Sequence, residues 1–212
     1  MAGGKKIAVI DVDDSLLRGN SLKILLWFTV KSQIKRGQWL SLLKLCMAMA
    51  RRVVHLSSHI ELKEQICCCA IEALTEADCE AMTETLTAKV RPEVRKIINH
   101  WIADGGEVVI ASAGMRRWLK DMVSRMGVRY LVATDMMSDG SLGVEARSEM
   151  KLQGVRTLAA AEGLGEIGLV VTDHIDDLPL LSLPDIRRVL VSPARNLLST
   201  LEASSLPYEI IN

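Results

Sequence analysis

The 212 residues are 49% apolar and 25% charged, which excludes a disordered chain and suits one domain with or without an insertion. Lys plus Arg (26) equals Asp plus Glu (26), so overall charge points to no partner class, and no nucleic-acid partner is expected. The longest apolar runs fall far short of the ~20 residues of a membrane-crossing helix.

The first element is the apolar run Ile7–Ile10, which reads as a buried strand and ends in Asp11, Asp13 and Asp14. The run is too short for a signal peptide, although Lys5 and Lys6 precede it. From Leu16 to Lys89 no strand is expected, and the segment reads as several helices. Leu42, Leu45, Cys46, Met49 and Val53 mark one helical face there, and Lys44, Ala48, Arg51 and His55 another. Between Ser15 and Ile60 there is no acid, while Arg18, Lys23, Lys31, Lys35, Arg36, Lys44, Arg51 and Arg52 make the segment +8 and leave −8 for the rest. The five cysteines, Cys46, Cys67, Cys68, Cys69 and Cys79, lack metal spacing and are expected as small buried hydrophobes in a reducing cytoplasm.

Further short strands are expected at Val108–Ala111, Tyr130–Ala133, Gly168–Thr172 and Val189–Val191. Helical patterns at Arg91–Trp101, Arg116–Met126, Lys151–Ala161, Leu178–Leu183 and Ala194–Glu202 alternate with them, and glycines stand near several helix ends. This alternation implies an α/β fold: a parallel sheet covered on both faces, in a three-layer Rossmann-like core. The core is assigned to residues 1–15 and 92–212, with a helical insertion over 16–91.

Chemistry in such sheets gathers outside the carboxyl ends of the strands. Asp11 and Asp13, Ser112, and Asp173 with Asp177 stand at those ends, and Lys151 opens the helix before the fourth strand. Acids, a hydroxyl and a lysine at one edge suit a site for phosphate and a hard metal ion. An attacking carboxylate is repelled by a phosphate ester and needs countercharge. A magnesium ion reached by Asp11 and Asp173 provides it, and Lys151 adds a second positive charge. Asp13, two residues beyond Asp11, is expected on the same side of an extended backbone, where it can donate and accept the proton.

These segments resemble the motifs of the haloacid dehalogenase superfamily, in particular its phosphoserine-phosphatase-like branch. "DVDDSL" is similar to the first motif, "VVIASAG" to the second and "VVTDHIDDLPLL" to the fourth, and Lys151 lies 22 residues before Asp173 as the motif lysine does. "LVATDMMSDGSLGV" resembles a hairpin between motifs, and "VSPARNLLSTLE" the segment after the fourth. The resemblance covers residues 5–15 and 92–212. It implies Asp11 as nucleophile, Asp13 as general acid/base, and an aspartyl-phosphate intermediate. It also implies phosphate held by Ser112, Ala113, Gly114 and Lys151. Magnesium would be held by Asp11, the Asp13 carbonyl and Asp173, with Asp177 in support, and residues 16–91 would form a cap. Ser15 replaces the usual Thr, while Thr172 and His174 replace Gly and Ser.

Plainer readings stand beside these. Asp11, Asp13, Asp173 and Asp177 also suit turns or helix caps, Ser112 suits an N-cap, and Lys151 suits a solvated surface. Lys120 is expected to point away, and Asp14, Asp176 and His174 have no assigned role. A dehalogenase needs neither Asp13 nor a metal. A receiver domain needs an acid about 40 residues after the first cluster, and Arg51–Ile60 has none. A non-catalytic phosphate-binding or membrane-docking protein on the same scaffold is the alternative function. The basic segment can be an ordinary outer face, an attractor of anionic substrate, or, with Trp27, Phe28 and Trp39, a surface for peripheral contact with an anionic membrane. By the resemblance, phosphoserine needs a cap acid and a cap arginine. Ser15–Ile60 has no acid, and no arginine lies between Arg52 and Arg91. The expected substrate is therefore another small or lipid-linked phosphate ester.

Overall fold

Alternate residues of the first strand face opposite ways, and that alternation builds two cores. In the computed structural model, which describes residues 5–137, 139 and 141–211, β1 spans Ile7–Ile10. Ala8 and Ile10 enter one apolar cluster, while Ile7 and Val9 enter the other. The same split recurs along β2 (Glu107–Met115), β4 (Ile167–Thr172) and β5 (Arg187–Val191). With β3 (Tyr130–Thr134) and β6 (Glu209–Ile211) these form one sheet in the order β3-β2-β1-β4-β5-β6. Every neighbouring pair is parallel.

The first four helices follow β1: α1 (Ser21–Lys35), α2 (Trp39–Val53), α3 (His59–Ala73) and α4 (Glu76–Ala88). They share the first cluster with α5 (Pro92–Ala103) and α6 (Arg116–Arg125). The second cluster is closed by α7 (Glu149–Glu162), α8 (Leu178–Leu181) and α9 (Arg195–Ala203). Helices on both faces of a parallel sheet give the expected three layers. Reciprocal capping boxes start α3 and α4, Ser58 with Glu61 and Thr75 with Asp78. The two ends of this helical stretch are joined at one place. Leu17 and Val90 pair antiparallel, the Arg91 N–H donates to Leu16 O at 2.8 Å, and the Arg18 N–H donates to Lys89 O at 2.9 Å.

Several details differ from the sequence reading. β2 runs on through Ser112 to Met115, although its register against β3 shifts between those two residues. β6 was not expected, because Glu-Ile-Ile is too short for a pattern and its residues are half-buried or exposed. In α2 the expected apolar face is only partly used: Leu45 is buried, whereas Cys46 and Val53 are exposed. Cys46 thus departs from the expected burial that Cys67 and Cys69 obey. The expected hairpin contains an antiparallel bridge from Met136 to Leu142, while its Ser138 and Gly140 lie outside the described residues. Among the described residues no helix is long and apolar enough to cross a membrane.

Candidate active site

From β1 the chain moves outward to β2 and β3, then returns to pair β4 on the other side of β1. Such a reversal opens a crevice at the strand ends. A cleft of about 510 Å³ lies there, lined by Asp11, Asp13, Ser112, Lys151, Asp173 and Asp177, among others.

Asp11 directly follows β1. Asp11 and Asp13 keep extended backbone angles (φ −73, ψ 158 and φ −70, ψ 128), and the chain folds over at Asp14, in the left-handed region at φ 57. Both residues line the same cleft. The turn is closed by Leu16 N–H to Asp11 O at 3.1 Å and Asp14 N–H to Gly19 O at 3.0 Å. It sends the Asp13 carboxylate to the start of α1, where Ser21 N–H donates to Oδ1 at 2.6 Å. Burial raises the Asp13 carboxyl above its ordinary pKa, and the Ser21 hydrogen bonds oppose that rise. Asp14 also borders the cleft.

Ser15 lies between two strand ends. Its hydroxyl oxygen is 2.9 Å from Asp11 Oδ2 and 2.8 Å from Asp173 Oδ1. A serine hydroxyl has one hydrogen, so it satisfies only one of those carboxylates at a time. Burial raises the pKa of both: Lys151 opposes the rise at Asp11, and the Ser15 hydroxyl opposes it at Asp173.

Lys151 is buried on α7, with Nζ 2.8 Å from Asp11 Oδ1 and 2.6 Å from Asp177 Oδ1. The contact to Asp177 is close but poorly aligned, so Oδ1 gains an ion pair without a well-formed hydrogen bond. Burial alone would lower the lysine's pKa, but the two carboxylates outweigh it and leave the pKa above its ordinary value. Gly154 lets α7 approach the sheet, since a Cβ there would stand 2.7 Å from Val132 Cγ1. The other Asp177 oxygen accepts from the Thr172 hydroxyl at 2.6 Å, and Thr172 Oγ1 in turn accepts from His174 N–H at 3.2 Å. The Thr in place of Gly thus builds local structure. Asp176 binds Arg147, while His174 is half-exposed at the rim.

Near the end of β2, three residues before Met115, Ser112 Oγ accepts from Gly114 N–H at 2.9 Å, which leaves its own hydrogen for an oxygen in the cleft. Ser112 does not cap α6, whose N-cap is Met115. Gly114 is required by close packing: a Cβ would meet Leu119 Cδ1 at 2.8 Å and Ser112 Oγ at 3.0 Å. Lys120 is exposed on α6, away from the cleft-lining set.

Lys63 was missed by the sequence reading. It is buried on α3, and its Nζ donates to Ala113 O and to Glu145 Oε1, each at 2.6 Å. Thr134 donates to the same Ala113 carbonyl at 2.7 Å. The partners lie 50 and 82 residues from Lys63 in the chain, and the only local signal was a lysine within the apolar pattern of α3. Of the eight cations between Ser15 and Ile60, Lys23 alone lines the cleft among the described residues.

The oxygen donors fit a hard divalent cation. Asp11 and Asp173 converge on one hydroxyl hydrogen, and one buried lysine faces the acids of the floor. Among the described residues no three or more His, Cys, Asp or Glu side chains form a metal cluster by themselves.

The family model described as haloacid dehalogenase-like hydrolase matches residues 8–182. No curated protein sequence matches the chain. Among solved structures, a protein of unknown function from Bordetella pertussis Tohama I is similar with a TM-score of 0.77 at 18% identity, covering 99% of both chains. A phosphoserine phosphohydrolase-like protein from Francisella tularensis gives 0.55 at 15%, covering 98% of this chain and 94% of that one. A phosphoserine phosphatase holding a phospho-aspartyl intermediate analogue gives 0.58 at 13%, covering 98% and 93%. At these identities the likeness is one of fold.

Proposed function

The chain belongs to the haloacid dehalogenase-like hydrolase family, and from that premise we propose that it is a magnesium-dependent phosphomonoester hydrolase acting through an aspartyl-phosphate. The observation that carries the reading is the single Ser15 hydroxyl between Asp11 and Asp173, with Lys151 on the other Asp11 oxygen. Magnesium would be held by Asp11, Asp173 and the Asp13 carbonyl, with Asp177 in support. When bound, it supplies the positive charge that lets a carboxylate approach an anionic phosphate.

An Asp11 oxygen attacks phosphorus, and the bond from phosphorus to the ester oxygen breaks. Asp13, with its carboxyl raised by burial, gives its proton to the departing oxygen. It then takes a proton from water as that water attacks phosphorus and releases Asp11. Lys151 neutralises the transferring oxygens, while Asp177, fixed by Thr172, orients Lys151. Ser112 donates to a phosphate oxygen, and Ala113 and Gly114 complete the cradle. The phospho-aspartyl analogue bound by a structural neighbour supports this route.

The helical insertion acts as a cap. Leu22 and Leu26 of α1 and Leu62 and Ile66 of α3 give the cleft an apolar wall opposite its acidic floor. That wall suits the organic part of a small or lipid-linked phosphate ester. The cap residues lining the cleft include no acid and no arginine, which speaks against phosphoserine. A cytoplasmic protein seated peripherally on the inner membrane surface would meet a lipid-linked substrate there. The test is phosphate release across a panel of soluble and lipid phosphates, with magnesium or EDTA. Release by wild type with magnesium, and none by Asp11→Asn, is expected; equal release by the two proteins would overturn the catalytic assignment.

A further inference from the structure

α2 is the least integrated of the long helices, because Leu45 is its single buried residue. On the arc opposite Leu45, helical spacing aligns Trp39, Leu40, Leu43 and Met47, which are 63%, 79%, 55% and 52% exposed. Lys44 and Arg51, both exposed, border this stripe on one side. Within α2 itself the charge is of one sign, since no acid lies between Ser15 and Ile60, while the far flank of Arg51 borders a pocket shared with Glu61 and Glu64 of α3.

We propose that this face of α2 docks on a bilayer of anionic phospholipid. An apolar stripe bordered by cations suits a helix lying in the plane of the interface, with its apolar side chains about 5–10 Å into the headgroup boundary and its bases among the phosphates. A symmetric pair of these faces would set Lys44 and Arg51 against their own copies, which like-charge repulsion opposes. A nucleic acid would neutralise the bases and leave Trp39 and Leu40 without an apolar partner. The bilayer meets both demands. The proposal deepens the membrane-surface reading given above, but it stands apart from the catalytic assignment, because none of these residues except Leu45, on the far side, is shared with either the cleft or the core.

The experiment is co-sedimentation of the full chain with vesicles of phosphatidylcholine, with and without phosphatidylglycerol, at about 0.01 M and about 1 M salt. The screening length falls from about 30 Å to about 3 Å between those conditions. Binding is expected to phosphatidylglycerol vesicles at low salt and to be lost at high salt. It should weaken roughly tenfold or more in Lys44→Glu/Arg51→Glu and in Leu43→Ser/Met47→Ser. Turnover of a soluble phosphate ester and circular dichroism, measured in parallel, should be unchanged in both variants. Loss of turnover in wild type with binding intact would sink the catalytic reading alone. The docking proposal fails if wild type ignores phosphatidylglycerol vesicles, or if both folded variants bind as well as wild type. It also fails if Leu43→Ser/Met47→Ser abolishes a wild-type dimer seen by analytical ultracentrifugation, which would assign the face to a second copy.

Discussion

The cleft floor and helix α2 are both one-sided in charge, and they differ in what surrounds that charge. On the floor, Asp11, Asp173 and Asp177 are held by Ser15, Lys151 and Thr172 at 2.6–2.9 Å. Along α2, Lys44 and Arg51 stand in water beside exposed apolar side chains. Buried charge ties distant parts of the chain together and makes each partner costly to lose. Exposed charge leaves the fold indifferent to substitution and is free to act on something outside the molecule.

The sharpest way to break this contrast is Asp11→Asn. It should lower phosphate release by at least ~10³-fold while the protein stays folded, because the amide oxygen still accepts from Lys151 and its NH2 can donate to the Ser15 oxygen, which then donates to Asp173. Next, Lys151→Met should leave Asp11 and Asp177 uncompensated and cost about 3–5 kcal/mol in urea unfolding. A cost near zero would show that the floor is not organised around this lysine. Lys63→Met strips Ala113 O and Glu145 of a shared donor and should cost about 1–3 kcal/mol.

pH tests the floor directly. Burial raises the carboxyls of Asp11, Asp13 and Asp173, so the folded state binds their protons more tightly than the unfolded state. The stability these three groups contribute to the metal-free protein is fully present below the ordinary carboxylate range near pH 4 and is lost as pH rises through the raised values. A Tm measured in EDTA should be higher at about pH 5 than at about pH 7.5. Magnesium should reduce the drop by favouring the ionised carboxylates. The smallest effect belongs to the other region: Leu43→Ser should alter stability by no more than about 0.5 kcal/mol.

Much of the floor was legible because its motifs are local. An apolar run with acids at its end announces β1 and Asp11, and the same logic found Asp173 and Ser112. What was not legible depends on distance in the chain or on backbone detail. The turn at Val12–Leu16 relies on hydrogen bonds that hydropathy does not report, so the contact of Asp13 with Ser21 was not foreseen. Lys63 acquires its partners only when α3 folds back over β2. β6 exists because β5 offers a free edge to its three residues. The two faces of α2 were assigned from apolar spacing alone, but spacing does not say which apolar residues find a neighbour: Leu45 does, and Val53 does not.

The division of charge also has a consequence for how the molecule moves. A body with no net charge is not pulled by an electric field, yet one with +8 in a single helical segment and −8 elsewhere is turned by it. Near any negatively charged surface the protein therefore experiences torque before attraction. It rotates residues 15–60 toward that surface, and salt removes the bias over a Debye length.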